Sequence, residues 1–130
     1  MILIVDDDKD VRGMIKRALH ELGYPATEAS NGEKALAIMA EEMPDLVILD
    51  YIMPGMDGTE VAREIAKIDP ALPIIFSTGH GALRALRNAA GENISILEKP
   101  FALNELSELI ESRLAERRRV AGAALIGDSK

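Results

Sequence analysis

Four short apolar runs, each followed at once or closely by a polar residue that can do chemistry, constrain the fold of this chain most. The runs cover residues 2–5, 46–49, 72–77 and 94–97, and the polar residues are Asp6-Asp7-Asp8, Asp50, Thr78 and Lys99. Short apolar runs separated by helical stretches are typical of parallel strands buried on both faces. Ligands of such sheets bind outside the carboxyl ends of the strands. We therefore expect these polar side chains to meet at one edge of a sheet.

Composition narrows the classes of function. The chain has 130 residues, enough for one domain with a sizeable core. Its net charge of -7 argues against a nucleic-acid partner, and no apolar stretch approaches the roughly 18 residues of a membrane span. Without cysteine the chain has no disulfide, thiolate nucleophile or Cys-based zinc site. We expect a cytoplasmic protein that acts on neither membranes nor nucleic acid.

Hydrophobic periodicity predicts an α/β protein in which a strand–helix unit repeats five times. Strands are expected at residues 2–5, 26–29, 46–49, 73–77 and 94–97, and helices at 9–22, from near Ala35 to before Pro44, from near Val61 to Asp69-Pro70, at 83–90 and at 103–118. The fourth helix is short and rich in alanine. We assign residues 1–119 to the domain and residues 120–130 to a flexible tail or the start of a linker.

The carboxylates at the predicted edge favour a hard divalent cation. Asp6, Asp7 and Asp50 could supply oxygen ligands of the kind that Mg²⁺ prefers. With the cation bound, a carboxylate can act as a nucleophile toward a phosphoryl group. Thr78 could then donate a hydrogen bond to one phosphoryl oxygen, and Lys99 could pair with another. The predicted chemistry is therefore phosphoryl transfer onto a carboxylate.

The same residues allow other interpretations, of which helix capping stays open and two others fit poorly. Asp6, Asp7 and Asp8 could cap the N-terminus of the first helix. A calcium-binding EF-hand loop is excluded, because Val11 stands where glycine is expected and Arg17 where glutamate is expected. A Mg²⁺-dependent phosphatase of the haloacid-dehalogenase type would need an acid two residues after the nucleophile, where Ile52 stands.

Four motifs, in order and at near-family spacing, carry a resemblance over residues 2–118. They are Ile4-Val5-Asp6-Asp7-Asp8, the run from Leu49-Asp50 through Met53-Pro54-Gly55-Met56-Asp57-Gly58, Ser77-Thr78-Gly79, and Glu98-Lys99-Pro100-Phe101. The chain resembles a bacterial response-regulator receiver domain. The resemblance implies a flavodoxin-like three-layer α/β sandwich whose parallel five-stranded sheet has the order 2-1-3-4-5.

The resemblance also assigns roles to individual residues. Asp50 is the implied phosphoacceptor, Thr78 the switch hydroxyl and Lys99 the amine that pairs with phosphate. The implied cofactor is Mg²⁺, for which Mn²⁺ or Ca²⁺ can substitute. Its implied ligands are Asp7 directly, Asp6 largely through water, Asp50, and the backbone carbonyl of Ile52. A cis peptide bond is implied before Pro100.

A receiver takes its phosphoryl group from a histidine kinase or a histidine phosphotransfer protein, so these are the implied partners. The implied activity is that of a switch, with catalysis confined to its own phosphorylation and slow hydrolysis. We expect no output domain in this chain, and either a monomer or a phosphorylation-dependent homodimer. A short regulator, the receiver segment of a hybrid kinase and a piece of a longer regulator all fit the sequence.

One position departs from the family pattern. Receivers commonly carry Tyr or Phe three residues before the lysine, and this chain has Ile96 there. Because the usual aromatic switch is missing, we expect signalling to depend more on ordering of residues 81–93, which contain the short fourth helix.

Overall fold

The computed structural model describes residues 1–79, 81–91 and 94–128, with side chains described as far as Arg119. Five strands alternate with five helices along the chain. The elements are β1 (Ile2–Val5), α1 (Lys9–Glu21), β2 (Ala26–Ala29), α2 (Gly32–Glu41), β3 (Leu46–Asp50), α3 (Gly58–Ile68), β4 (Ile74–Thr78), α4 (Leu83–Ala90), β5 (Ser95–Glu98) and α5 (Leu103–Asp128). The repeated strand–helix unit predicted from periodicity is confirmed.

The five strands form one parallel sheet in the order β2-β1-β3-β4-β5, which confirms the predicted topology. Val5 lies opposite Ala29 on one side and Leu49 on the other. Asp50 lies opposite Ser77, one residue before the end of β4. The carboxyl ends of β1, β3 and β4 therefore meet at one edge, with the residues that follow β1 beside Asp50 and Thr78.

Two apolar cores, one on each face of the sheet, make the fold a three-layer sandwich. The first core joins Leu3, Val5, Val47 and Leu49 of the strands to Ala35, Met39, Val61, Ile65 and Leu86 of α2, α3 and α4. The second joins Ile2, Ile4, Leu46 and Ile48 to Ile15, Leu19, Leu106 and Ile110 of α1 and α5. Alternate strand residues thus face opposite helical layers, and this explains why the strands are apolar at nearly every position.

Three strands extend one residue beyond their predicted ends. Asp50, Thr78 and Glu98 are the last residues of β3, β4 and β5, because the ladder continues through the pairs Asp50–Ser77 and Thr78–Glu98. Backbone pairing rather than apolarity decides where these strands stop. Two candidate site residues are consequently held by the ladder itself.

The last helix is longer than predicted. We expected it to end near Arg118, but α5 runs for 26 residues to Asp128. Residues 119–128 contain no proline to stop the helix, so helical geometry continues through two glycines although the hydrophobic periodicity fades. The segment predicted as a tail is therefore helical as far as Asp128.

The fourth helix has the predicted limits, Leu83–Ala90, and its only buried residue is Leu86. It ends at Gly91, whose φ of +92° lies in the left-handed region that glycine adopts readily. Residues 92 and 93 of the segment expected to carry signalling lie outside the described residues. Within the described part of the chain, no helix is long and apolar enough to cross a membrane.

Candidate functional site

Three carboxylates cluster at the carboxyl edge of the sheet. One oxygen from each of Asp6, Asp7 and Asp50 lies within 4.8 Å of the other two. Asp6 and Asp50 are buried, and Asp7 is exposed. The sequence predicted that these residues come together, and the structure confirms it. Three like charges at this separation repel one another, so the cluster suits a divalent cation.

Lys99 connects two of these carboxylates to the last strand. Its Nζ lies 3.0 Å from Oδ2 of Asp6 and 3.5 Å from Oδ1 of Asp50. Burial alone would lower the pKa of Lys99, but the hydrogen bond to Asp6 and the charge of Asp50 outweigh burial and raise it. The ammonium therefore stays charged at neutral pH and offsets one of the three negative charges. The predicted cis peptide bond joins Lys99 to Pro100.

Asp50 is the carboxylate most affected by its surroundings. Burial, followed by the negative charge of Asp6, raises the pKa of Asp50 from 3.8 to about 6, although Lys99 acts to lower it. A carboxylate that is costly to ionise without a cation gains most when a cation arrives. The donor set consists of carboxylate oxygens from the end of β3 and from the residues directly after β1, and carboxylate oxygens are ligands that Mg²⁺ prefers.

The three consecutive acids divide into two roles. Asp8 caps α1, since its Oδ1 accepts hydrogen bonds from the N–H of Asp10 at 2.9 Å and of Val11 at 3.3 Å. Asp6 instead accepts the N–H of Asp8 through Oδ1 at 2.9 Å and the lysine through Oδ2. The capping interpretation is therefore correct for Asp8, while Asp6 and Asp7 belong to the cluster.

Arg12 also reaches this edge, although it was not among the residues predicted for the site. Its Nη1 donates to the backbone carbonyl of Asp6 at 2.7 Å, and its Nε donates to Glu28 at 3.3 Å. The available signal was Glu28 itself. A glutamate within the second strand, opposite Ile4, needs a cationic partner close by.

Thr78 lies at the end of β4 with 1% of its surface exposed. Its hydroxyl donates to the carbonyl of Gly79 at 3.4 Å, and its own carbonyl accepts the N–H of Lys99 at 2.7 Å. A backbone bond thus joins the two residues predicted to contact a phosphoryl group. The hydroxyl of neighbouring Ser77, beside Asp50 in the ladder, is buried without a partner among the described residues.

The start of α3 packs closely against the backbone of Asp50 and Tyr51. Gly58, the first residue of α3, donates its N–H to the carbonyl of Tyr51 at 2.7 Å. A Cβ at Gly58 would lie 2.8 Å from the Cα of Tyr51 and closer still to the carbonyl oxygen of Asp50. Only glycine allows this approach, which fixes the backbone that carries Asp50.

Beside the cluster, a groove of about 540 Å³ separates the loop after β3 from α4. Its lining includes Tyr51, Ile52, Met53, Ala82 and Ala85. Ile52 is 65% exposed, although it lies only two residues after the buried Asp50. Ile96, where the family commonly has an aromatic residue, is half-buried and packs against the first core.

A doubly wound α/β sheet with clustered carboxylates and a lysine at its carboxyl edge defines an acidic site for phosphoryl chemistry. Comparison with known proteins agrees. The family model described as response regulator receiver domain matches residues 2–111. The response regulator receiver protein CpdR from Brucella abortus is 40% identical over 114 residues, which cover 87% of this chain and 95% of CpdR.

Two further matches bear on the context of the domain. The crystal structure of the receiver domain of NtrX from Brucella abortus matches with a TM-score of 0.83 at 32% identity, covering 88% of this chain and 98% of that one. The DNA-binding transcriptional regulator NtrC from Salmonella typhimurium is 35% identical over 116 residues, 88% of this chain but 25% of NtrC. This chain belongs to the response regulator receiver domain family. Members of this family are phosphoacceptors in two-component signalling.

Proposed function

We propose that Asp50 accepts a phosphoryl group from a phosphohistidine of a histidine kinase or a histidine phosphotransfer protein. The observation that carries this proposal is the position of the Asp50 carboxylate. It is buried beside Asp6 and Asp7, with oxygens of all three within 4.8 Å, and 3.5 Å from the ammonium of Lys99. This arrangement combines a nucleophile with groups that stabilise phosphoryl charge.

The cluster is also the proposed metal site. Asp6, Asp7, Asp50 and the backbone carbonyl of Ile52 would hold Mg²⁺, with Mn²⁺ or Ca²⁺ as substitutes. The bound cation supplies positive charge that neutralises the transferring phosphoryl oxygens. Because Asp50 has a raised pKa without a cation, cation binding also favours its ionised, nucleophilic form.

Each residue then has a defined part in the transfer. An oxygen of Asp50 attacks phosphorus, the P–N bond of the phosphohistidine breaks, and the imidazole leaves with the bonding electrons. An acyl phosphate remains on Asp50. The hydroxyl of Thr78 donates a hydrogen bond to one phosphoryl oxygen, and the ammonium of Lys99, freed from Asp50, pairs with another.

The resulting activity is that of a two-state switch whose phosphorylated form presents a different surface to a downstream protein. Catalysis extends only to the protein's own phosphorylation and hydrolysis, because Ile52 offers no proton where a phosphatase of external substrates needs an acid. We propose that residues 1–119 form the switching unit, that it acts in the cytoplasm without nucleic acid or membrane, and that it is a monomer or a phosphorylation-dependent homodimer.

Intact-protein mass after incubation with acetyl phosphate and Mg²⁺ tests the proposal. We expect wild type to gain one phosphoryl group, chelator to abolish the gain, and Asp50→Asn to show none. Asp8→Asn is the matched control, because asparagine keeps the helix cap and the change lies two residues from Asp6. A phosphoryl gain in Asp50→Asn, or no gain in folded wild type, would contradict the proposal.

A further inference from the structure

The side chain of Arg12 connects three elements at the metal end of the sheet. From α1 it donates through Nε to Glu28 of β2 and through Nη1 to the carbonyl of Asp6, just after β1. Its side chain is 14% exposed. A guanidinium offers rigid, divergent donors, so one side chain can hold both acceptors at a fixed spacing.

The carbonyl that Arg12 holds belongs to the peptide unit between Asp6 and Asp7. The N–H of Asp6 is fixed separately, since it donates to the carbonyl of Ala29 at 3.2 Å. The bond to Ala29 fixes the Val5–Asp6 peptide and the bond from Arg12 fixes the Asp6–Asp7 peptide, and the two peptide planes meet at the Cα of Asp6. Together the two planes restrict φ and ψ of Asp6, and with them the direction of the Asp6 side chain and the orientation of the peptide that leads to Asp7.

We propose that Arg12 is a positioning residue for the divalent cation, acting through the carbonyl of Asp6 without contacting the cation. The inference rests on the proposed metal site. Groups that orient metal ligands through hydrogen bonds typically change metal affinity by about 10-fold or more when removed. Glu28 acts on the cation less directly than Arg12, because its carboxylate only accepts the Nε–H of Arg12 and so holds the guanidinium in place.

The direction in which Mg²⁺ affinity changes when Arg12 is removed distinguishes a positioning role from a purely electrostatic one. Arg12 is a cation whose Nη1 lies 2.7 Å from the carbonyl oxygen of Asp6, so Coulomb repulsion alone makes it unfavourable for Mg²⁺. Removing its charge would by that effect tighten Mg²⁺ binding. Removing a positioning residue weakens it. The two explanations therefore predict opposite changes.

Lys16 provides a matched control. It lies on the same helix and pairs with the same Glu28, with Nζ 3.5 Å from Oε2, and its side chain is 50% exposed. Lys16→Ala therefore removes one positive charge and one Glu28 ion pair, as Arg12→Ala does. It leaves the bond from Arg12 to the Asp6 carbonyl in place.

The test is calorimetric titration of the full chain with MgCl₂. We expect Arg12→Ala to weaken the Kd by about 10-fold, Glu28→Gln to weaken it by a smaller factor, and Lys16→Ala to leave it unchanged or slightly tighter. At saturating Mg²⁺, the rate of phosphorylation by acetyl phosphate should stay within about threefold of wild type in Arg12→Ala, because the reacting groups are intact.

Two results overturn the inference: a Kd in Arg12→Ala equal to or tighter than wild type, or an equal weakening in Lys16→Ala. If Arg12→Ala does not fold, Arg12→Gln decides, because the Gln amide cannot span both acceptors and should still weaken the Kd. Failure of wild type itself to bind Mg²⁺ is a different outcome, which refutes the proposed metal site instead.

Discussion

The helices α3 and α4 follow neighbouring strands and begin at the same edge of the sheet, but they are held very differently. The carboxylate of Asp57 caps α3, accepting the N–H of Glu60 at 3.0 Å and the hydroxyl of Thr59 at 2.7 Å. α4 follows Ala82, whose methyl side chain can accept nothing. Within α3, four residues are buried: Gly58, Thr59, Val61 and Ile65. Within α4, only Leu86 is buried.

The better cap and deeper burial of α3 make the Asp50 side of the site more rigid than the Thr78 side. The first residue of the capped helix α3 packs against the backbone of Asp50. Thr78 is instead followed by α4, a short helix with few buried contacts. Elements with few buried apolar contacts open locally at lower free energy. Asp50, the proposed phosphoacceptor, is thus held in a fixed position, and we expect α4 to be the element whose equilibrium a phosphoryl group shifts at least cost.

We expect the largest change in unfolding free energy, and the largest contrast between the two sides of the site, from glycine-to-alanine substitutions at Gly58 and Gly79. Gly58→Ala forces a methyl group against the Asp50 and Tyr51 backbone, and we expect unfolding free energy to fall by about 2–3 kcal/mol. Gly79→Ala has open space at its Cβ, so we expect a change within about 0.5 kcal/mol. Urea denaturation measures both, and equal losses would remove the contrast between the two sides.

Asp50 itself should destabilise the cation-free protein. Its pKa is raised in the fold to about 6, so ionisation is disfavoured there, and folding stability falls as pH rises from about 4 through 6. We expect Asp50→Asn to raise unfolding free energy by about 1–3 kcal/mol at pH 7.5 in chelator, since each pKa unit corresponds to about 1.4 kcal/mol. Near pH 4 the gain should vanish.

Mg²⁺ provides the control for that prediction. Saturating Mg²⁺ should raise the melting temperature of wild type more than that of Asp50→Asn, because the variant has lost a ligand. An Asp50→Asn protein less stable than wild type in chelator would show that the bond to Lys99 outweighs the burial of the carboxylate.

Removing the α3 cap should make α3 resemble α4. We expect Asp57→Ala to cost about 1 kcal/mol and to speed amide hydrogen exchange across α3 toward the faster rates expected in α4. Asp57→Asn, which keeps an accepting oxygen, should change both quantities much less. Slower exchange in α4 than in α3 of the wild type would contradict the comparison directly.

The C-terminal end of α3 is held by a hydrogen bond to α5, and we expect removal of this bond to change stability least. Arg117 of α5 donates to Asp69 at 2.9 Å, and this hydrogen bond lowers the pKa of Asp69. A lowered carboxyl pKa contributes stability that is present above pH 4 and is lost as pH falls through the folded value. Both side chains are partly exposed, so Arg117→Ala should cost only about 0.5 kcal/mol at pH 7.

Comparison at a second pH and with a second arginine checks this effect. As pH falls below 4, the difference between Arg117→Ala and wild type should shrink, because protonation of Asp69 removes the interaction in both proteins. Arg113→Ala is the control, because Arg113 pairs with Glu116 on its own helix at 2.9 Å and does not reach Asp69. A pH dependence as large in Arg113→Ala would mean that the cost is not due to Asp69.

Much of the fold could be predicted because the strands carry two buried faces. Residues such as Val5 and Ile4 face opposite cores, and each requirement is local to the sequence. The clustering of Asp6, Asp7 and Asp50 followed from the rule that parallel strands end at one edge. The strand order, by contrast, came from the family resemblance, because the apolar runs alone do not say which strands are neighbours.

What the sequence did not predict depends on partners distant along the chain. Arg12 looked like any helical arginine, since its acceptors, Glu28 and the Asp6 carbonyl, are set by tertiary structure. The last turns of α5 lack hydrophobic periodicity, so only backbone propensity marks them. The roles of Thr78 and Ile52 toward a phosphoryl group or a cation remain predictions.

The bond from Lys99 to Asp6 joins residues 93 positions apart, and this separation links completion of the proposed site to the order in which the chain folds. Contacts between distant parts of a chain close large loops and form late or slowly. During synthesis, Lys99 is added long after Asp6 and Asp50, so an incomplete chain has these carboxylates without the ammonium that pairs with them. Because Lys99 follows β5, the proposed site is complete only after the last strand has joined the sheet.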